Sequence, residues 1–333
     1  MKFLGLIVVV LALVSCSRNR LDIDVSGVDV SLEMNRFDRV LFATDPKEVR
    51  LELVDLYKDH SAFIDLYTER IIKIGPLTGD NFDQYLSSFL TDTVIQEVAD
   101  TVAVKFADFG EIETALTNGF KHYRYYFPEK SIPRIYTYIS GFNESLIVAE
   151  NLIGISLDKY LGRDCIFYRY LGIPKYKIEN MFPEKIVPDL FYAWALTEYP
   201  MSDSVNNLLA NMIYQGKLIY LTEALNPDLP DSLLMGYSTE KLEWCDKNEA
   251  SMWAYLVEHK LIYSVERLDL QKYIGDAPFT NVFSEKSPGR TGVWIGWQIV
   301  QSFMNNHEEI SLAQLMEIND AQKILSQSKY YPE

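Results

Sequence analysis

Histidine is scarce in this chain, and the metal-binding motifs that depend on it are missing. The 333 residues include four histidines, and no two of them are close enough to share a helical turn: His60, His122, His259 and His307. The stretch His-Glu-Glu at 307–309 begins like a zinc-peptidase motif but has no histidine at the fifth place. A Gly-x-Ser-x-Gly elbow and a phosphate-binding glycine-rich loop are also absent. The sequence therefore predicts neither a bound metal nor a cofactor.

Cysteine is rare as well, with Cys16, Cys165 and Cys245 as the three examples. Cys165 and Cys245 could form a disulfide in an oxidising compartment. However, free cysteines are among the most buried residue types, and a chain of this size can stabilise its core without a disulfide. We therefore favour two buried thiols and leave the disulfide open.

Linkers, low-complexity tracts and internal repeats are missing too, which excludes a solenoid and a chain of loosely tethered domains. The first apolar run, Phe3–Leu13 after Lys2, is too short to cross a bilayer, which needs about 20 residues. It fits the core of a signal peptide. The order Leu-Val-Ser-Cys at 13–16 resembles a lipobox, in which the cysteine is acylated and the chain is cut before it. We predict a signal peptide at 1–15 and a lipid anchor on Cys16, rather than a plain secretory signal.

Basic residues are outnumbered, with 31 Lys and Arg against 47 Asp and Glu and a formal charge of −16. An acidic body is repelled by nucleic acid and by anionic lipid. Nucleic acid is therefore excluded as a partner. The expected contact with the membrane is the lipid on Cys16.

The hydrophobic pattern predicts an α+β protein, with an anchor and lead-in at 16–31, a mainly helical part at 32–128 and a small sheet packed on helices in 129–333. The last two parts are expected to form one continuous body. Partial alternation at 21–42 favours a strand or an extended lead-in. Strands are expected at 134–140, 146–149 and 152–157. Helical spacing predicts helices at about 92–107, 110–126, 184–198, 204–225, 238–261, 291–305 and 311–327. Ser311 and Gln314 form a capping-box pair at the start of the last helix.

Two local motifs each have two interpretations. Residues 22–33 match the spacing of an EF-hand calcium loop, but the helix that should enter the loop has no room, and the same residues suit a strand with a turn at Ser26-Gly27. In the stretch 289–297, Gly292 and Gly296 lie one helical turn apart and would let another backbone approach closely. This stretch is either a tightly packed core helix or a ligand-facing segment, with Arg290, Gly292 and Trp297 as the cleft residues.

The chain resembles the GldB family of gliding-motility lipoproteins from Bacteroidetes over essentially its whole length. Besides the lipobox, the resemblance lies in six stretches: 36–38, 120–128, 139–142, 154–162, 212–217 and 287–300. Lipoproteins exported to the cell surface in these bacteria carry an acidic stretch directly after the cysteine, whereas this chain has Arg18 and Arg20 there. A periplasm-facing anchor on the inner or outer membrane is therefore expected.

The family in turn looks like a distant relative of zinc peptidases that carry His-Glu-x-x-His on one helix and a glutamate before a glycine on the next. The best register puts those positions on Pro188, Asp189, Tyr192 and Gln215. Only Asp189 keeps the chemistry of its counterpart, and residues 165–258 contain no histidine. The resemblance therefore implies a zincin-like fold that has lost its metal, with Tyr192 and Gln215 facing each other across the former zinc cleft and Arg290 at its rim.

The resemblance implies an envelope lipoprotein that is not an enzyme and that binds or scaffolds other proteins of a motility or secretion complex. One alternative is a hydrolase using unrecognised residues, such as Asp189 with Glu198 or Glu223. Such a hydrolase would need acidic groups of raised pKa in one cavity. The other alternative is a solute-binding lipoprotein that uses the former zinc cleft.

Overall fold

The computed structural model describes residues 20–45, 48–202 and 206–333, so the predictions for the signal peptide at 1–15 and for Cys16 lie outside the described residues. The strands are β1 (Met34–Asn35), β2 (Arg134–Tyr138), β3 (Leu146–Ala149) and β4 (Leu152–Ser156). The helices are α1 (Phe37–Ala43), α2 (Val49–Asp65), α3 (Phe82–Thr91), α4 (Thr93–Lys105), α5 (Gly110–Tyr126), α6 (Ile166–Tyr170), α7 (Lys175–Ile178), α8 (Ile186–Glu198), α9 (Leu208–Leu225), α10 (Asp231–Met235), α11 (Thr239–Glu258), α12 (Arg267–Tyr273), α13 (Thr291–Asn306), α14 (Leu312–Glu317) and α15 (Ala321–Ser328).

The four strands form one sheet in the order β1-β2-β4-β3. β2 runs parallel to both β1 and β4, and β3 pairs with β4 in the antiparallel direction. In the register of β2 and β4, Tyr138 lies opposite Ser156 at the carboxyl ends of both strands. The segments that follow these two strands therefore leave the sheet at the same edge.

Each face of the sheet is covered by helices, because successive side chains of a strand point to opposite faces. Tyr136 and Tyr138 pack against a cluster built from α1, α2 and α3, and the ring of Tyr136 stacks on that of Phe63 with 4.1 Å between centroids. Ile135 and Ile153 point the other way, into the larger core with α8, α9 and α13. The result is three layers, with the small sheet between two groups of helices.

The two long buried helices α9 and α13 cross at a pair of glycines. A Cβ on Gly216 would lie 2.3 Å from the carbonyl carbon of Gly296, and a Cβ on Gly296 would lie 1.8 Å from the carbonyl oxygen of Met212. The close backbone approach that was expected at Gly296 is therefore confirmed.

Arg20 fixes the lead-in to the far end of α13. Its guanidinium donates hydrogen bonds to the carbonyl oxygens of Met304 (2.5 Å), His307 (3.1 Å), Glu308 (3.3 Å) and Ile310. These carbonyls belong to the end of the helix and to the turn after it. A cation at this end also interacts favourably with the helix dipole.

Several predicted elements are confirmed, and one is wrong. The helix at 110–126, the strand at 146–149 and the capping box of Ser311 and Gln314 form as predicted. Of the two options for 21–42, the extended lead-in is observed, with a two-residue strand followed by α1. The predicted helix at 311–327 is two helices, because Ile318 is extended and Asp320 caps the second one. The mixed α+β class is confirmed, while the zincin-like fold stays a prediction.

The hydrophobic core continues across residue 128. Phe120 and Tyr123 of α5 contact Phe191 and Trp194 of α8, with ring centroids 4.9 Å and 6.1 Å apart. The part at 32–128 therefore shares its core with the part at 129–333.

The disulfide left open by the sequence does not form. Cys165 and Cys245 are free thiols, and burial raises the pKa of both.

None of the helices in the described ranges has both the length and the hydrophobicity to cross a bilayer.

Candidate functional site

Two adjoining cavities of about 370 Å³ each lie between α8, α9, α10 and the segment before α13. The first, which we name the Tyr192 chamber, is lined by Pro188, Asp189, Tyr192 and Gln215 among others. The second, the lysine chamber, is lined by residues that follow β4 and by α7 and α11. The two chambers share four charged residues: Lys185, Asp189, Asp276 and Arg290.

Tyr192 of α8 and Gln215 of α9 face each other in the Tyr192 chamber. The Tyr192 hydroxyl donates a hydrogen bond to the Gln215 side-chain oxygen. Burial raises the pKa of Tyr192, so the phenol stays protonated. This contact between the two helices was predicted from the sequence register and is confirmed.

Asp189 is held by partners on two sides. Its carboxylate lies 2.9 Å from the Lys185 ammonium, one helical turn earlier, and accepts a hydrogen bond of 3.2 Å from the Tyr160 hydroxyl. Lys185 is buried and also donates to the carbonyl oxygen of Leu233. The carboxylate of Asp189 is therefore neutralised by a neighbouring cation within the cleft wall.

These side chains do not fit a zinc site. Catalytic zinc takes three nitrogen, sulfur or carboxylate ligands and an open fourth position. Pro188 offers no donor atom, the Gln215 oxygen is engaged by Tyr192, and Asp189 is paired with Lys185. Within the described ranges, no group of three His, Cys, Asp or Glu side chains could hold a metal ion, and this includes the EF-hand-like stretch at 22–33.

The turn at Ser26-Gly27, which the alternative interpretation of that stretch required, is present. The backbone N–H of Ser26 donates to the Asp24 carboxylate at 2.9 Å, and the N–H of Val28 donates to the Val25 carbonyl. Asp24 thus forms a local turn.

Arg290 lines both chambers from an unusual backbone position. It is the residue before α13 and has a left-handed conformation with φ of 59°. A residue with a side chain loses about 1–2 kcal/mol in this conformation, and such strain is concentrated at functional sites. The surrounding segment is fixed by buried hydrogen bonds, since Thr280 donates to the Pro288 carbonyl and Tyr237 donates to the Gly289 carbonyl.

Gly289 brings the Arg290 segment against the loop that carries Asp276. A Cβ at position 289 would lie 2.1 Å from the carbonyl oxygen of Ala277. Because the two backbones approach so closely, the Asp276 carboxylate comes within 3.8 Å of the Arg290 guanidinium. The expected position of Arg290 at the cleft is therefore observed, while its role in binding stays a prediction.

Asp158 joins the segments that leave β2 and β4. It is fully buried and accepts hydrogen bonds from the backbone N–H groups of Ser140 (3.2 Å) and Phe142 (2.6 Å) and from the Ser156 hydroxyl. The next residue, Lys159, lines the lysine chamber, and its ammonium donates to the Phe142 carbonyl at 3.2 Å.

Gly292 and Trp297 lie in the core and do not line either chamber. A Cβ on Gly292 would meet the backbone oxygen of Tyr273 at 2.9 Å. Trp297 is 1% exposed, and its indole N–H donates to the Glu223 carboxylate at 2.9 Å. The expected place of these two residues in the cleft is therefore corrected: Gly292 lies against the backbone of Tyr273, and the Trp297 side chain points into the packing between α13 and α9.

The three carboxylates of the alternative hydrolase lie in three different places. Asp189 is in the cleft, whereas Glu198 at the end of α8 pairs with Lys130 and accepts from Tyr123. Burial raises the pKa of Glu223 to about 7, but its partners Trp297 and Gln301 are core residues of α13. A pair of acids that converges on one cavity is thus not formed by these three.

The sequence analysis missed the lysines of the second chamber. They come from positions far apart in the chain and share no motif, so no local signal could have identified them: Lys159, Lys177, Lys185 and Lys241. The pairing of β2 with β4 and the packing of α7 and α11 bring them together.

The family comparison covers nearly the whole chain. The sequence model described as "Gliding motility protein GldB" matches residues 18–332, which includes every element of the fold and both chambers. Comparison with curated proteins found no match, and comparison with solved structures found none. The chain therefore belongs to the GldB family of gliding motility lipoproteins.

Proposed function

We propose that this lipoprotein acts by binding rather than by catalysis, as a lipid-anchored component of the gliding machinery or its associated secretion apparatus. The observation that supports this is the hydrogen bond between Tyr192 and Gln215. A neutral phenol and a neutral amide satisfy each other at the positions where related peptidases would need metal ligands. The cleft is retained next to them as a cavity of ligand size.

The position of Arg20 supports a defined orientation on the membrane. Arg20 lies four residues after Cys16, so about 14 Å of extended chain at most separates it from the proposed lipid anchor. It is bound at the last turn of α13, while Arg290 and the cleft lie at the first turn. A helix of 16 residues is about 24 Å long. The anchor would therefore hold the body close to the bilayer with the cleft turned away from it, towards the periplasm.

The envelope partners of this protein would then reach the cleft from the aqueous side. Such partners are other proteins of a motility or secretion complex, as family membership suggests. An alternative function is the binding of a solute in the same cleft. The cationic side chains that line the lysine chamber favour this alternative.

The test replaces, in the native organism, the two candidate catalytic acids that lie outside the cleft. Glu198→Gln and Glu223→Gln each remove an ionisable group while keeping its shape, and each removes one of the two possible partners of Asp189 in a hydrolase. We expect both strains to match the wild type in colony spreading and in secretion, whereas a strain without the gene should lose the function. A more than tenfold loss in any isosteric variant that is present at the normal level would support the hydrolase instead.

A further inference from the structure

The lysine chamber has a surplus of positive charge in a strongly negative protein. Five cationic side chains line it: Lys159, Lys177, Lys185, Lys241 and Arg290. Three carboxylates line it, although the whole chain has 47 acidic and 31 basic residues. Overall charge would repel an anion at long range, so this local reversal of sign is specific to the site.

Three of the five cations are paired and two are not. Each carboxylate contacts one cation, with N–O distances of 2.9 Å for Lys185–Asp189, 3.5 Å for Lys241–Glu179 and 3.8 Å for Arg290–Asp276. Lys159 and Lys177 form no ion pair with any residue in the described ranges. The contact of Arg290 is also long for a charge-assisted hydrogen bond, which is about 2.7–2.9 Å.

The unpaired lysines line the same chamber, and one of them is partly desolvated. Lys159 is half-buried, and burial lowers the pKa of its ammonium; the charges of Asp158 and Glu144 oppose this shift, and the charge of Lys177 adds a smaller effect in the same direction. Lys177 is exposed. A half-buried ammonium without an ion-pair partner is stabilised when an anion binds beside it. The first turn of α13, with its positive dipole end, adds to the positive potential from the opposite wall.

We propose that the lysine chamber binds a small ligand with at least two oxyanion groups, phosphate or carboxylate, one held by Lys159 and Lys177 and the other by Arg290. The volume of about 370 Å³ suits a small molecule. Arg290 has a left-handed backbone and lines the cavity, and such strained positions are concentrated at functional sites. This inference rests on the proposed function only in that the protein acts by binding.

The ligand is expected to come from the aqueous phase. Arg20, the first described residue after Cys16, binds the end of α13 opposite to the cleft, which favours a ligand from the aqueous phase over a headgroup of the anchoring membrane. Phosphate and carboxylate groups are both oxyanions that these cations could bind. One phosphate probe and one carboxylate probe distinguish the two.

The experiment uses the full-length lipoprotein in a non-ionic detergent and isothermal titration calorimetry with inorganic pyrophosphate and with citrate. We expect saturable binding of at least one probe at one site per chain, weakened by added salt because the contacts are ionic. Lys177→Gln should weaken this binding at least fivefold. Its side chain is exposed, so the fold should tolerate the change. Arg290→Gln should act in the same direction.

The matched control is Lys247→Gln, which removes the same charge from an exposed lysine on α11 outside the cleft. It should leave the affinity within a factor of two. The inference is overturned if neither probe binds saturably, or if Lys177→Gln and Lys247→Gln have the same effect. In that event the proposed non-catalytic function still stands if the Glu198→Gln and Glu223→Gln variants support gliding, so the two failures are distinguishable.

Discussion

Tyr192 and Gln215 are two neutral side chains that satisfy each other in the wall of the cleft. A metal ligand must present a lone pair to an open position, and here the amide oxygen accepts a hydrogen bond from the phenol. Asp189 forms an ion pair with Lys185. The remaining polar groups are therefore satisfied within the protein.

The first prediction is that the purified protein holds no stoichiometric zinc. The donor set of Pro188, Asp189, Tyr192 and Gln215 lacks an imidazole or thiolate, so its affinity for zinc should be low. Elemental analysis after equilibration with micromolar zinc and gel filtration should give well under one zinc per chain. One zinc per chain that disappears in a Gln215→Ala variant would contradict this prediction.

The second prediction concerns Glu223, a buried acid whose partners are Trp297 and Gln301. Burial raises its pKa from 4.5 to about 7 in the folded protein. Between pH 4.5 and 7 the unfolded chain releases this proton while the folded protein keeps it. The free energy of unfolding therefore falls as the pH rises through this window, by at most about 3 kcal/mol at 1.36 kcal/mol per pKa unit, and levels off above pH 7.

Glu223→Gln should remove this dependence, because the amide oxygen can still accept both hydrogen bonds. We expect urea unfolding to give equal stability for variant and wild type at pH 4.5 and a more stable variant at pH 8. An equal or less stable variant at pH 8 would show that the carboxylate is not destabilised by burial.

At the scale of elements, the packing of α9 against α13 is sensitive to the addition of a single Cβ atom. Gly216 and Gly296 let the two backbones meet, and the cleft residues Gln215 and Arg290 are positioned by these two helices. The crossing therefore controls the geometry of the Tyr192 chamber as well as the stability of the core.

The third prediction is that Gly296→Ala destabilises the protein by about 3 kcal/mol or more, which is at the upper end of the range for overpacking. The new Cβ would lie 1.8 Å from the Met212 carbonyl oxygen, and a rigid helix backbone cannot yield as a side chain would. The intrinsic helix preference of alanine over glycine, about 1 kcal/mol, is too small to offset this. Urea unfolding measures the change.

Gly27→Ala serves as the control, since a Cβ there meets nothing within 4 Å. It should change the free energy of unfolding by less than about 0.5 kcal/mol. If the two variants are equally stable, the helices can separate without cost and the crossing is not tightly packed.

At the scale of the whole molecule, the N-terminal segment at Arg20 and the cleft lie at opposite ends of one helix. Arg20 binds the last turn of α13, and Arg290 precedes its first turn. Family membership places the protein in the cell envelope. Its orientation relative to the membrane depends on how the segment before Arg20 is attached.

The fourth prediction is that Cys16 carries the anchor. Cys16→Ser should leave the signal sequence uncleaved at this site and remove the acyl chains, and the folded body has no helix among its described residues that could cross a bilayer. Membrane pelleting and mass spectrometry of the N-terminus report both changes. A Cys16→Ser variant that is still cut before residue 16 and stays with the membrane would contradict the prediction.

The sequence by itself determined the elements whose limits are local. Helix α5 begins and ends as its spacing predicts, because an apolar face and Pro128 mark it in the chain. The break between α14 and α15 has no such mark. There the Lys217 ammonium of α9 donates hydrogen bonds to the carbonyls of Met316 and Ile318 at the end of α14. Lys217 is about a hundred residues away in the sequence, so no local pattern marks this break.

The residues of the cleft were identified partly from the sequence and partly from the tertiary structure. The contact of Tyr192 with Gln215 was expected from the resemblance to zinc peptidases, whose motif positions fall on these two residues. The lysine chamber, the left-handed Arg290 and the raised pKa of Glu223 were decided by the tertiary structure. Charge density, backbone strain and desolvation depend on which distant segments pack together, and a linear pattern of residues does not contain that information.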